Sequence, residues 1–324
     1  IQSNLTIDGR NQRVRITGIG RSHSVTTVDD EVVTDTSDVN TVWGPQRYNQ
    51  SNTSNVSGSR TPGPILRLWR RKNVIIKNLS IEGPAFGWNT QTGNYHNDDI
   101  IQIQYPESRD IMIHQCVVHS PDGPTESTQK PGVDGGVDII GASTNVTVQY
   151  CTLSAVEKMC LVGQTSDSGR QSGGDFTGAA YNNDDYGQNS RITLHHNFVY
   201  KIGRRFPFAR YAWVDVYSNY MRDWTRGAQD FSTAEVEASS PYGTYKYLHR
   251  TGNDAHLLLR NNSYHLDDST WGTDVVHNNK DRGGKIVGIN NVSSGTVSSS
   301  LRWDLERSVD LYQINGYWSE QDEK

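Results

Sequence analysis

The feature that most constrains this chain is a seven-residue pattern that returns seven times. It reads Asn73-Val-Ile-Ile-Lys-Asn-Leu79, Asp110-Ile-Met-Ile-His-Gln-Cys116, Asn145-Val-Thr-Val-Gln-Tyr-Cys151 and Arg191-Ile-Thr-Leu-His-His-Asn197. Later copies are Trp213-Val-Asp-Val-Tyr-Ser-Asn219, His256-Leu-Leu-Leu-Arg-Asn-Asn262 and Lys285-Ile-Val-Gly-Ile-Asn-Asn291. The second and fourth places are apolar: Val74 and Ile76, Ile111 and Ile113, Val146 and Val148, Ile192 and Leu194, Val214 and Val216, Leu257 and Leu259. Alternation with period two marks a strand with one buried face. The spacing between copies is irregular, from 22 to 46 residues. A constant strand with inserts of any length is the signature of stacked coils, in which each coil buries its apolar residues on the coil before. A two-sheet sandwich would instead show hairpin turns every 8–12 residues or so, and those are missing. The seventh place holds Leu79, Cys116 and Cys151, then Asn197, Asn219, Asn262 and Asn291. Asparagines stacked at a bend can bond one another's amides and tolerate left-handed turns.

A second strand set precedes several of the first: Asp99–Gln104, Val137–Gly141, Met159–Gly163 and Phe206–Ala212. Two clear strands and a less regular third per coil imply a triangular cross-section. The expected fold is all-β: a right-handed parallel β-helix of about seven to eight coils, read as a single domain over 1–324. Polar insertions at roughly Ser22–Gly63, Ser120–Gly132, Gln164–Ser190 and Arg222–Asp254 would wall a groove.

Charge and composition exclude some partners. The formal net charge of −5 offers no basic field for nucleic acid. No run of 18 apolar residues exists, so no α-helical span of a membrane is expected. Three cysteines, each in an apolar strand-like context, read as buried thiols rather than a disulfide framework.

Three stretches carry ionisable groups at telling spacings. Asp134-Gly-Gly-Val-Asp138 places two carboxylates around a glycine pair, where both could reach one oxygen-loving cation; read alone, a solvated Asp-Gly turn is an equal alternative. Lys158, in Glu157-Lys-Met-Cys-Leu-Val-Gly163, follows one coil later; read alone it is a surface lysine. Gly203-Arg-Arg-Phe-Pro-Phe-Ala-Arg210 sits between two strand-like segments, Arg191–Asn197 and Trp213–Asn219. It carries Arg205 and Arg210 on a stiff turn that can aim guanidinium groups at an anion.

Taken together, from about Asn73 to Asn219, these stretches resemble the family 1 polysaccharide lyases, the pectate lyases. The histidine-pair strand Leu194-His-His-Asn197 before an Arg-x-Pro-x-x-Arg-like turn, the Asp-Gly-x-x-Asp segment, the Asn145-Val-Thr-Val strand and the Lys158 segment occur in that family's order. The resemblance implies β-elimination on an acidic, uronate-bearing polysaccharide, with Ca2+ held by Asp134 and Asp138. Arg205 would be the base, and Lys158 and Arg210 would hold the substrate carboxylate. It also implies a carboxylate ligand where this chain has His114 in Met112-Ile-His-Gln115. Calcium would then be held by Asp134, Asp138 and substrate, or helped by Asp98 or Asp99, or the metal role is altered. The helix that plugs such a β-helix in the family is not recognisable. The open end exposes strand edges, so it would be covered by a second subunit or an upstream segment. Secretion, or a place on a virion, follows from the resemblance. Three functions stay open: a pectate lyase; a depolymerase of capsule or exopolysaccharide, such as a phage tail spike; and a non-catalytic carbohydrate-binding β-helix, against which the presence of Lys158, Arg205 and Arg210 argues.

Overall fold

The computed structural model of the chain describes residues 3–10, 14–17, 64–83, 99–120, 135–156, 158–163, 190–224, 247–252, 255–266, 274–277, 284–295 and 302–303. These residues form 24 strands and no helix. The strands make three sheets of eight, and every third strand along the chain pairs, in parallel, with its neighbour in the same sheet. This is a right-handed parallel β-helix.

The heptad repeat forms the first sheet. Its members include β4 (Lys72–Lys77), β7 (Arg109–His114), β10 (Thr144–Gln149), β13 (Arg191–His195), β16 (Trp213–Tyr217), β19 (His256–Arg260) and β22 (Lys285–Ile289). Register follows the repeat: Val74, Ile111, Val146, Ile192, Val214, Leu257 and Ile286 are successive Cα partners. Ile76, Ile113, Val148, Leu194, Val216 and Leu259 form a second such row. All of these side chains are buried in one core. Each contributes about 1.5–3 kcal/mol of burial, and that is what fixes the register, because a slip of one residue would turn every row outward.

The bend between the first and second sheets divides its work between two places. The residue before the seventh place is left-handed in all seven copies of the repeat: Asn78, Gln115, Tyr150, His196, Ser218, Asn261 and Asn290 all have φ between 50° and 59°. The seventh-place asparagine therefore does not make the turn; it fills its inside. Asn197, Asn219 and Asn262 each donate a backbone N–H to the Oδ1 of the next asparagine, at 2.9–3.0 Å. Their Nδ2 groups donate to carbonyls of the coil before: Asn197 to Val148, Asn219 to Leu194 and Asn262 to Val216. A buried amide satisfied on both sides is the cheapest way to carry polar backbone through a core.

Of the insertions expected from the sequence, the fourth is corrected. Inside Arg222–Asp254 lies a strand of the third sheet, β18 (Tyr247–Thr251). Its sequence, Tyr-Leu-His-Arg-Thr, hides the pattern because His249 and Thr251 are buried where other coils carry aliphatic residues. The interior of the other three insertions lies outside the described residues.

Candidate active site

The third sheet carries the charged residues. Along it run β6 (Ile101–Gln104), β9 (Val137–Ile140), β12 (Leu161–Gly163), β15 (Phe208–Arg210) and β18, each hydrogen-bonded to the next. Alternation turns Ile139, Val162 and Ala209 inward. The outward row runs through Gln102, Asp138, Leu161, Phe208 and Arg250. Just before these strands, Gly135 pairs with Lys158, and Lys158 with Arg204. Consecutive coils thus present Asp99, Asp138, Lys158, the Arg204–Arg210 turn and Arg250.

The first end is anionic. Asp99 Oδ2 accepts a hydrogen bond from Gln102 Nε2 at 2.9 Å, and Asp138 Oδ1 accepts one from the Leu161 N–H at 3.0 Å. Gly135 stands between them. A Cβ there would lie 2.2 Å from Asp99 Oδ1 and 3.1 Å from Asp138 Oδ1. A side chain there would press on both carboxylates, so the glycine is what lets the backbone pass close to Asp99 and Asp138, whose oxygens are donors of the kind Ca2+ takes. Behind them the Cys160 thiol is pushed well up, first by burial and then by Asp138 and Asp99. Among the described residues no third His, Cys, Asp or Glu joins the pair. Asp134 lies outside the described residues.

The other end is cationic and arranged around one ring. The guanidinium carbons of Arg210, Arg250 and Arg205 stand 4.4, 4.8 and 5.3 Å from the centroid of Phe208. An aromatic face attracts cations, so one phenylalanine gathers three like charges that would otherwise spread apart. The turn before it is tightly held. Arg205 has φ 64°, and Phe206 is wholly buried. The Arg205 carbonyl accepts the Cys160 N–H at 2.7 Å, and the Phe206 N–H donates to the Leu248 carbonyl at 2.6 Å. Arg205 Nε is buried and hydrogen-bonds no protein atom. Arg250 Nη1 donates to the Tyr247 phenol at 2.8 Å. Burial raises that phenol, and Arg250 and Arg205 more than offset it, so it lies below its ordinary range.

Of the residues expected from the sequence, Asp138, Lys158, Arg205 and Arg210 are thus brought to one sheet on successive coils. His114 is not. It lies on β7 of the first sheet, in register with Lys77 and Gln149, and its ring meets Tyr150 edge-on. Its place in the motif order therefore says nothing about the carboxylate pair, and it is Asp99 that lies beside Asp138 at Gly135. His195 and His196 are also on the first-sheet side, with their Nδ1 atoms 2.8 Å apart. Burial, then His196, His114 and Arg260, lower His195 to about 4. Sequence reasoning missed Arg250 and Tyr247, which sit in the strand taken for loop, and missed Phe208 as the ring beneath the arginines. The signal for Phe208 was its place between Arg205 and Arg210.

The comparisons with known proteins agree with this architecture. The sequence profile of the pectate lyases matches residues 49–312. A pectate trisaccharide-lyase of Thermotoga maritima is 27% identical over 165 residues, 51% of this chain and 38% of that protein. One from Bacillus licheniformis is 29% identical over 173 residues, 52% of this chain and 41% of that protein. Pectate lyase E of Dickeya dadantii is 26% identical over 213 residues, 60% of this chain and 44% of that protein. The chain spans about two fifths of the length of these curated relatives. Among solved structures, that of the thermostable pectate lyase PL 47 superposes with a TM-score of 0.50 at 21% identity, covering 75% of this chain and 57% of that one. The repeat register, the three parallel sheets and a profile match over most of the sequence lead to one assignment: this chain belongs to the pectate lyase family.

Proposed function

We propose that the chain cleaves a uronic-acid polysaccharide by β-elimination, using the outward face of the third sheet. One observation carries this reading: a carboxylate pair and an arginine cluster lie along the same sheet, with Lys158 on the coil between them. A polyanionic sugar needs both halves, a cation to bridge its carboxylate to the protein and guanidinium groups to hold it.

In the elimination the C5–H and C4–O bonds break, a C4=C5 double bond forms, and the departing oxygen takes a proton from water. The obstacle is the weak acidity of C5, which lies next to the C6 carboxylate. Arg210 and Lys158 hold that carboxylate and spread its charge as negative charge builds up in the transition state. Arg205 takes the C5 proton. The tightly bonded turn keeps Arg205 from wandering. Asp99 and Asp138, with Asp134, would hold Ca2+, which when bound acts as a Lewis acid on the substrate carboxylate. Carboxylate oxygens are the hard donors that such an ion takes. A polymer of this kind does not cross membranes, so the reaction belongs outside the cell.

The test is a substrate panel: polygalacturonate and uronate-bearing capsular polysaccharides, each with calcium or chelator, followed by ultraviolet absorbance of unsaturated product. Calcium-dependent absorbance on at least one uronate polymer is expected. Binding of every polymer without unsaturated product would leave only a carbohydrate-binding β-helix.

A further inference from the structure

We propose that Cys116 and Cys151 form a disulfide between consecutive coils when the chain meets a small oxidising disulfide such as oxidised glutathione. The two cysteines hold the seventh place of the repeat, which the next four coils give to asparagine. They reproduce the asparagine geometry. The Cys116 N–H donates to Cys151 Sγ at 3.4 Å, just as the Asn197 N–H donates to Asn219 Oδ1 at 2.9 Å. Each side chain at this place therefore leans along the helix axis onto the backbone of the coil before. That brings Cys151 Sγ onto the backbone of Cys116 at 3.4 Å, close enough that each thiol perturbs the other, Cys116 lowered and Cys151 raised well above the ordinary thiol range. Neighbouring parallel strands lie about 4.8 Å apart, within the Cα separation of roughly 4.4–6.8 Å that a disulfide bridges. The third cysteine, Cys160, precedes β12 of the third sheet and is wholly buried behind Asp99 and Asp138. The pairing is thus unique.

The chemistry balances without further reagents. The Cys116 thiolate attacks the small disulfide, breaks its S–S bond and expels one thiolate. Cys151 then loses its proton, attacks the Cys116 sulfur and expels the second. The protein gives up two protons and two electrons; the reagent becomes two thiols. Both sulfurs are buried, so exchange proceeds while the chain folds. The bond would close a loop of 35 residues that contains β9 and Asp138. It would hold the coil bearing that carboxylate in place whether or not a cation is present.

The full chain, unfolded and reduced, is refolded in a glutathione redox buffer and in dithiothreitol. After acid quenching, thiols are titrated under denaturing conditions and the intact mass is read. The proposal expects one thiol per chain after oxidative refolding against three in dithiothreitol, a mass lower by two hydrogens, and one proteolytic peptide pair joining Cys116 to Cys151. The oxidised chain should also melt at a higher temperature in chelator, and dithiothreitol should reverse the shift. In Cys151→Ser, oxidation should leave both remaining thiols free and the melting point unchanged. Three thiols after oxidative refolding of the wild type, or a link through Cys160 or between chains, would overturn it. Those wild-type readings decide the matter even where the variant does not fold.

Discussion

Replacing Gly135 by alanine tests the cation site through space rather than charge. The new Cβ would lie 2.2 Å from Asp99 Oδ1 and 3.1 Å from Asp138 Oδ1. Unbonded heavy atoms settle at about 3.5 Å, so the Asp99 carboxylate must retreat by roughly 1 Å. The band of Ca–O distances is only about 0.3 Å wide, and a shift of that size removes Asp99 from the ion's shell. Disturbing a site to this degree typically costs about 10–100-fold in metal affinity. Both carboxylates remain in the sequence, so the net charge of the site is unchanged. Calorimetric titration of Ca2+ into chelator-treated protein reads the loss, and circular dichroism checks that the coils are intact. Gly136→Ala is the control. Its Cβ would strike Met159 Sδ at 2.5 Å and the Met159 carbonyl at 2.8 Å, so it should lower the melting point without moving either carboxylate. Unchanged calcium affinity in Gly135→Ala would refute the placement of the ion between Asp99 and Asp138.

Three further outcomes are expected. Asn219→Ala should cost about 3–5 kcal/mol in urea unfolding, because it leaves the buried Asn197 N–H and the Leu194 carbonyl without their partners, at roughly 1–3 kcal/mol each, and removes a bond to Asn262; a loss below about 1 kcal/mol would show that the ladder does not support the bend. Arg210→Ala should raise KM by about 10–100-fold, the worth of a charged hydrogen bond, with a smaller change in kcat; steady-state kinetics on the active polymer decide. His249, wholly buried with its Nε2 against the Tyr264 phenol at 2.9 Å, is lowered by burial from 6.5 to about 3. The unfolded chain binds the proton first, so this group's contribution is fully present above pH 6.5 and is lost as pH falls towards about 3; urea midpoints that stay flat between pH 7 and pH 4 would contradict it.

The fold could be read from the sequence because a β-helix writes one local rule many times. Ten side chains, from Val74 to Val216, were expected inside on register alone, and all are buried. What the repeat cannot convey is which of three sheets a non-repeating residue occupies. His114 follows the apolar alternation and stands in a motif next to the expected carboxylates, yet the coil turns it onto another sheet. Asp99, fifteen residues earlier, comes round to face Asp138. Strand β18 failed for a related reason: the core at His249 is polar and aromatic, so the alternation that marks other coils is missing. Arg250 and Tyr247 were hidden with it. The Arg205–Arg210 turn was legible, but not the ring that organises it. Phe208 reads as an apolar spacer until the fold brings Arg250 from the next coil onto the same ring.

The central claim is that Arg205 removes the C5 proton, and Arg205→Lys tests it most directly. Lysine keeps the charge but loses the planar fork and its reach. The measurement is the initial rate of unsaturated product, by ultraviolet absorbance, over a range of concentrations of the polymer the wild type cleaves. A base acting in the transition state contributes about 10²–10⁴-fold. The account therefore predicts a fall in kcat of that order with KM changed by far less. A variant with near-wild-type kcat would remove Arg205 from the chemistry.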